Sequence, residues 1–238
     1  MKKLLAIALF AFPLFGQTPP VDPWTSSAGA GIALTSGNSD TQNVNLSFNT
    51  LWDPKTTRTF KADALYLLGR NNGEKQVDKA TANARYEGLF SPRAFWFGEV
   101  GYLRDPFKEI SYLVAPLAGV GMHVINDAAR KLTFDAAAGA VVESNAAFGR
   151  DTSGALKAGE SFDWTISPTS KFTQRLNGLW KADDFGDALY HFDAGLATTV
   201  ATRLELKVSY LYDYKNRTPS PDVEKGDSAL FAALLVKF

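Results

Sequence analysis

The C-terminal segment, residues 227–238, constrains the fold most, because apolar side chains alternate along it up to a terminal aromatic residue. Side chains of a β-strand point to opposite faces in turn, so every second residue shares a face. One face of this segment is entirely apolar and holds Leu230, Ala232, Leu234 and Val236. The pattern predicts a strand that runs to Phe238 and lays one continuous apolar face against an apolar surrounding.

The same alternation recurs along the chain in about twelve segments, each closed by turn residues. The predicted strands lie near 24–36, 40–52, 57–70, 76–89, 93–104, 111–125, 130–143, 154–166, 169–181, 187–200, 203–215 and 227–238. About ten residues at ~3.3 Å each, tilted by about 45°, span roughly the 25 Å apolar band of an outer membrane. The segments therefore have the length of membrane-spanning strands.

The residues on the polar faces decide between a soluble sandwich and a membrane barrel. Both show alternation, but Lys, Arg, Asp and Glu recur on the polar faces here, as a watery or ion-paired lumen requires. We therefore predict an all-β fold, a transmembrane antiparallel up-and-down β-barrel of about twelve strands, apolar outside and ionic inside. Glu160 and Gln174 break this parity. The segments 93–104 and 111–125 are apolar on both faces, so their register stays open.

Turn lengths and aromatic residues predict the orientation of the barrel. Long loops on the outside and tight turns in the periplasm are usual for outer-membrane barrels, and an even strand number places both termini in the periplasm. The predicted long loops are Arg70–Val77, Arg104–Ile110, Ser144–Ser153, Ala182–Asp187 and Lys215–Gly226, and the hairpin at residues 37–40 is a tight exception. Aromatic side chains cluster near both ends of the predicted strands, which indicates two interfacial girdles.

The first residues have the features of an export signal. Residues 1–17 join two lysines to an apolar stretch and a small residue, which predicts a signal peptide that is removed before folding, so the barrel comprises residues 18–238. The absence of cysteine excludes a lipoprotein anchor, a disulfide framework and thiol chemistry. A formal net charge of zero argues against a nucleic-acid partner.

Several stretches resemble known barrels. Leu234, Val236 and Phe238 resemble the assembly signal in the terminal strand of bacterial outer-membrane barrels, which implies the barrel-assembly machinery as a partner during biogenesis. The stretches 31–41, 102–107, 119–122 and 208–214 resemble the salt-induced outer-membrane protein family, whose function is not defined. The resemblance implies a monomeric barrel among the lipids of a Gram-negative outer membrane, with a response to osmotic conditions and no catalytic residues.

The leading functional hypothesis is a small-solute or ion diffusion channel, or a passive envelope component. Charges on the predicted inner faces would line a weakly selective pore, or pair across the lumen and close it. The predicted lumen residues are Lys61, Asp63, Lys79, Arg85, Glu87, Glu99, Asp135, Glu143, Lys157, Asp163, Lys171, Arg175, His191, Asp193, Arg203, Glu205 and Lys207.

Two alternatives stay open. An outer-membrane lipid hydrolase would use His191 as its base, with Asp193 and with Ser161 or Ser209 as nucleophile. A structural or adhesive barrel would bind a partner through its loops, chiefly 144–153 and 215–226. Two scattered histidines without cysteine predict no metal site, and nothing in the sequence indicates a cofactor.

Overall fold

The computed structural model describes residues 22–36, 41–71, 74–145, 149–218, 221 and 223–238, which form a closed antiparallel β-barrel of twelve strands. Each strand pairs with its neighbours in sequence, and the last strand pairs with the first. The strands are β1 (Trp24–Ser36), β2 (Thr41–Trp52), β3 (Arg58–Asn71), β4 (Glu74–Leu89), β5 (Ala94–Asp105), β6 (Ile110–Asn126), β7 (Arg130–Asn145), β8 (Gly149–Ser167), β9 (Ser170–Lys181), β10 (Ala188–Ala201), β11 (Leu204–Lys215) and β12 (Gly226–Lys237). The predicted fold class and strand number are confirmed.

A 3-10 turn, Pro106–Lys108, connects β5 and β6. No helix among the described residues is long and apolar enough to cross a membrane. The predicted signal peptide and the tight hairpin at 37–40 lie outside the described residues.

The seam between β1 and β12 closes the barrel. Paired positions run from Ser27 opposite Lys237 to Ser36 opposite Ser228. Beyond them, the Ser26 N–H donates to the Phe238 carbonyl at 3.1 Å and the Phe238 N–H donates to the Ser26 carbonyl at 3.0 Å. The ladder therefore continues to the last residue, and the C-terminal strand has neighbours on both sides instead of an open edge.

The apolar faces of the strands point outward, as predicted. Leu234 and Val236 each expose 51% of their surface, whereas Phe231 and Leu235 between and beside them are buried. Charged side chains of strands that are not neighbours, such as Lys79 on β4 and Asp213 on β11, meet inside the ring. The inner face is thereby identified for every strand through the pairing registers.

The inner face also carries apolar residues that the alternation did not assign. The two segments that are apolar on both faces, β5 and β6, turn Phe95, Phe97, Leu113 and Leu117 inward, where they are buried against β7 and β8. A second inner cluster comprises Leu67, Val77, Leu211, Ala229 and Phe231. Side chains thus fill part of a lumen of intermediate width, as expected for a barrel of this strand number.

Aromatic side chains mark the two ends of the outer surface. Near the end that holds both termini, called the termini end, Trp24 and Trp52 lie with ring centroids 6.5 Å apart. Near the opposite end, called the far end, Trp180 lies 5.8 Å from Tyr190, which lies 6.2 Å from Tyr214. Amphipathic rings at two levels are typical of interfacial girdles.

Two of the predicted long loops are wrong. β3 continues to Asn71 and β4 starts at Glu74, so strands occupy most of 70–77. Likewise β7 and β8 pair as far as Asn145 opposite Gly149, within the predicted loop 144–153. Polar residues end the apolar pattern at these positions without ending the backbone pairing, so these hairpins extend beyond the apolar band as paired strands.

The seam predicts one sensitive position. A Cβ atom on Gly31 of β1 would collide with the backbone carbonyl of Ala232 on β12. We expect Gly31→Val to cost about 1–3 kcal/mol or more and to lower the yield of closed barrel, because overpacking against backbone finds no room to relax. Unheated electrophoresis, which separates the closed barrel from the unfolded chain, measures that yield.

The control for this prediction is Ala30→Val, because Ala30 is exposed on the outer face. Equal yields of closed barrel from the two variants would contradict the role assigned to Gly31.

Candidate functional site in the lumen

A group of buried ion pairs crosses the lumen near the far end. Lys79 on β4 contacts Asp213 on β11, and its Nζ lies 3.8 Å from Asp105 on β5. The same Asp213 lies 2.7 Å from Nδ1 of His191 on β10. Since Lys79, Asp105 and Asp213 are all buried, these contacts stand in for the water that an open mouth would hold.

The 3-10 turn between β5 and β6 is fixed to the opposite wall by Lys108. The Lys108 ammonium is 1% exposed, donates to the Lys225 carbonyl at 2.9 Å and to the Asp213 carbonyl at 3.2 Å, and lies 3.1 Å from an Asp227 carboxylate oxygen. The turn can close on itself because Glu109, which follows it, has a left-handed backbone with φ 57°. Lys108 therefore connects β5–β6 to β11–β12 across the far mouth.

A second group of ion pairs links the other side of the far mouth. Glu143 on β7 lies 2.7 Å from Lys215 on β11 and 3.2 Å from Lys181 on β9. Lys181 also lies 2.8 Å from Asp187 and 3.1 Å from Asp151. Glu143 and Lys215 are buried. Two groups of ion pairs thus span the described part of the far mouth. Within each group, positive and negative side chains are paired with one another.

The loop between β9 and β10 is tied to this region by a hydroxyl group. Ser153 on β8 donates through Oγ to the Asp183 carboxylate at 2.8 Å. This hydrogen bond favours the ionised form and holds the pKa of the Asp183 carboxyl below its usual value. The loop is therefore anchored to the wall of the barrel at neutral pH.

A third charge group lies deeper, against the wall formed by β4, β5 and β7. The Arg85 guanidinium lies 2.8 Å from Glu87, 3.1 Å from Glu99 and 2.9 Å from Asp135. It also stacks over the Phe97 ring, 3.5 Å from the centroid. Lys157 contacts Glu99 as well. These contacts hold the Arg85 side chain flat against one wall.

The termini half of the lumen remains accessible to solvent. Arg175 on β9 points inward yet is exposed, so there is free space at its level. Asp63 on β3 is shielded from water by burial and faces the charges of Arg175, Asp193 and Lys207 and the imidazole of His191. Nearer the end, Lys171 pairs with Asp163 at 3.0 Å, and their side chains stay 52% and 39% exposed. We call the inner surface from the termini end to Arg175 the vestibule, and its Arg175, Lys171 and Asp163 side chains are exposed.

The structure places the predicted lumen residues on inner faces, with one exception. Arg203 lies in the turn between β10 and β11 at the termini end, because that hairpin closes one residue later than the alternation indicated. The ion pairs also use residues that were not predicted. These are Asp105, Lys108, Asp151, Lys181, Asp187, Asp213, Lys215 and Asp227. Asp213 and Lys215 follow the inward parity of β11 and could have been found from it.

His191 does not assemble the predicted hydrolytic group. Its imidazole contacts Asp213, which was not predicted, instead of Asp193. Ser209 pairs with Gly195 and Ser161 with Arg175, whereas His191 pairs with Asp213, so both serines lie further along the strands. The histidine instead belongs to the group of ion pairs that crosses the lumen near the far end.

Comparison with known families identifies the chain. The family model described as "Protein of unknown function, DUF481" matches residues 28–238. The chain belongs to this family. No match was found among curated proteins. Since the family description assigns no function, the osmotic response implied by the sequence resemblance stays a prediction.

Three solved structures with a similar fold have titles that name a porin or an outer membrane channel. The DUF481 chain superposes on the NanC porin with a TM-score of 0.58 at 7% identity, over 89% of this chain and 100% of that one. For an outer membrane channel from Pseudomonas putida F1 the TM-score is 0.52 at 13% identity, over 93% of this chain and 100% of that one. For the KdgM porin the TM-score is 0.50 at 7% identity, over 89% of this chain and 99% of that one. At these identities the likeness shows the transmembrane barrel fold alone.

Lys79 tests how the far mouth is held. We expect Lys79→Met to destabilise the barrel by about 3–5 kcal/mol, because it removes the lysine that both buried carboxylates share and leaves Asp213 with His191 alone. Thermal unfolding of the purified barrel in detergent measures the loss.

The matched control for this prediction is Lys171→Met. The exposed pair of Lys171 with Asp163 should contribute less than about 1 kcal/mol. If both variants unfold at the wild-type temperature, the far-mouth pairs are not holding the barrel together.

Proposed function

We propose that this DUF481 protein is a passive channel for small polar solutes or ions in a Gram-negative outer membrane, closed at the far mouth in the conformation described above. The observation that carries the proposal is the vestibule, whose charged side chains are exposed as far as Arg175, below the buried ion pairs of the far mouth. A purely structural barrel would have no use for accessible charge at that depth. The porin and channel titles of the similar structures support the proposal, and support a non-enzymatic role.

For the channel to open, the charged side chains at the far mouth would have to separate from one another and be hydrated by water instead. Lys108 is the contact that most directly holds the 3-10 turn across the mouth, because its ammonium reaches two carbonyls and a carboxylate of the opposite wall. Releasing it would free the connection between β5 and β6 without breaking any strand pairing. Opening would expose these charges to water, where dissolved ions stabilise them, so higher ionic strength would favour the open state, which is the form of osmotic response we propose.

The orientation of the barrel is also a proposal. The turns at the termini end are short, whereas the far end carries the connections 182–187 and 216–225. Outer-membrane barrels keep short turns in the periplasm, so both termini would be periplasmic and the closed mouth would face outside. The vestibule would then open to the periplasm. Removal of residues 1–17 as a signal peptide and recognition of Leu234, Val236 and Phe238 by the barrel-assembly machinery belong to the same proposal.

Single-channel recording in a planar lipid bilayer tests the closed channel. We expect wild-type protein to open rarely and Lys108→Met to open several-fold more often, because the variant loses the tether across the mouth. The wild-type opening frequency should rise between about 0.1 and 1 M salt, since the electrostatic screening length falls to about 3 Å at 1 M.

Lys55→Met is the control for these recordings, because Lys55 lies in an exposed turn at the termini end. Folded protein that carries no current in either the wild type or Lys108→Met would refute the channel. Openings that do not depend on salt would refute the osmotic part alone.

Arg175 tests whether the vestibule lies on the conduction path. We expect Arg175→Glu to shift ion selectivity toward cations, because it reverses a charge at the inner limit of the solvated space. The reversal potential in a salt gradient, recorded from channels in the open state, measures the shift.

Arg203→Glu makes the same charge change in the turn outside the lumen and serves as control. A selectivity shift of equal size in both variants would mean that the solute path does not pass Arg175.

A further inference from the structure

One polar pair lies on the outer, lipid-facing surface and plays no part in the lumen. Glu160 on β8 is paired with Phe134 on β7 and Leu176 on β9, and both of these neighbours are exposed on the outer face. The Gln174 Nε2 on β9 donates to the Glu160 carboxylate at 2.6 Å. The registers therefore place a carboxylate and an amide among side chains that face the membrane.

The depth of the pair makes it costly in lipid. On the outer faces of β8 and β9, Glu160 and Gln174 lie between Trp164 near the termini end and Trp180 near the far end. This is the apolar band, where acyl chains offer no hydrogen bonds and polar side chains at lipid-facing positions are destabilising. The neighbouring strands place apolar side chains at this level, so Glu160 and Gln174 are polar residues surrounded by an apolar outer surface.

The hydrogen bond between the two side chains leaves most of their capacity unused. A carboxylate has a second oxygen, and a primary amide has a second N–H and a carbonyl oxygen. Within the part of the chain that the structure describes, the bond between Gln174 and Glu160 is the polar contact of both side chains. One amide N–H and two oxygen atoms of the pair are therefore left for a partner other than each other.

The surface beside the pair permits close approach of another body. Ala118, Ala136, Ala138 and Ala158 are all exposed on the outer face of β6, β7 and β8. Two of them, Ala118 and Ala138, also line a shallow, largely apolar groove of about 560 Å³ together with Gly98 and Pro116, on the side toward β5. Small side chains at membrane interfaces let backbones approach, and polar side chains there hydrogen-bond across the contact.

We propose that a second copy of this chain docks on this face, with Glu160 of each copy accepting a hydrogen bond from Gln174 of the other. A two-fold axis along the membrane normal keeps both copies in the same orientation and every residue at its own depth. Glu160 and Gln174 are bonded to each other and so lie at nearly the same depth, which makes the donor and acceptor pair self-complementary under that axis. The proposal replaces the monomer implied by the sequence resemblance.

Cysteine crosslinking in native membranes tests the proposal, since the chain contains no cysteine. We expect Ala158→Cys, close to the pair, to form a covalent dimer under mild oxidation. Ala30→Cys lies exposed on the outer face of β1, away from the patch, and serves as the matched control. The yield of dimer should be several-fold higher from Ala158→Cys.

A second variant separates docking from folding. Adding Glu160→Leu and Gln174→Leu to Ala158→Cys should lower the dimer yield about tenfold, which corresponds to about 1.4 kcal/mol. The closed barrel should form normally, because leucine suits a lipid-facing site. Equal yields from Ala158→Cys and Ala30→Cys, a dimer that survives the leucine substitutions, or a crosslink to a different protein would each overturn the proposal. None of these outcomes bears on conduction.

Discussion

The structure depends on satisfying every backbone hydrogen bond within an apolar surrounding. Acyl chains cannot replace water as a partner for N–H and C=O groups, so a spanning sheet must have no edge. The ladder between β1 and β12 meets that requirement as far as the bonds between Ser26 and Phe238. Ring closure in turn separates the side chains into an outer set that meets lipid and an inner set that meets itself. The charged side chains can contact one another because ring closure encloses them on the inner face, away from lipid.

The inside is an ionic core rather than an empty tube. Buried charges carry a large desolvation cost, which their mutual contacts offset only when the geometry is good and each group has several partners. The far mouth meets that condition through shared members such as Asp213 and Lys181, each of which contacts more than one group. Removing one member would therefore affect several contacts. Such a network is stable when complete and sensitive to the loss of any single charge.

Much of this architecture could be predicted from the sequence, and the reasons are physical. Twelve strands and their outward faces were predicted correctly from three features. These are the period of two, the strand lengths that match the apolar band, and the aromatic residues at both ends. The exceptions have causes of their own. Polar residues in 70–77 and 144–153 end the apolar pattern where the strands leave the membrane, although the backbone pairing continues. Strands β5 and β6 read as apolar on both faces because their inner residues pack against each other.

The lumen itself was predictable only as a set of inward charges. Parity on each strand identifies which residues point inside, but it does not say which strands face one another across a filled barrel. The contact between Lys79 and Asp213 joins β4 to β11 and depends on that three-dimensional arrangement. The role of Lys108 depends on a three-residue turn that carries no alternation at all. Only the geometry could show that these charges contact one another across the far mouth.

The unequal filling of the ring has a consequence for shape. Phe95, Phe97 and Leu117 thicken the wall at β5 and β6, and Arg85 lies flat against the phenylalanine rings. The facing arc of β9 to β11 instead bears the exposed Arg175 and the half-buried Lys207. The lumen therefore presents its exposed charge along one side instead of evenly around the axis. A molecule travelling through it would slide past one charged arc while scarcely touching the other, so a small number of side chains would govern its passage.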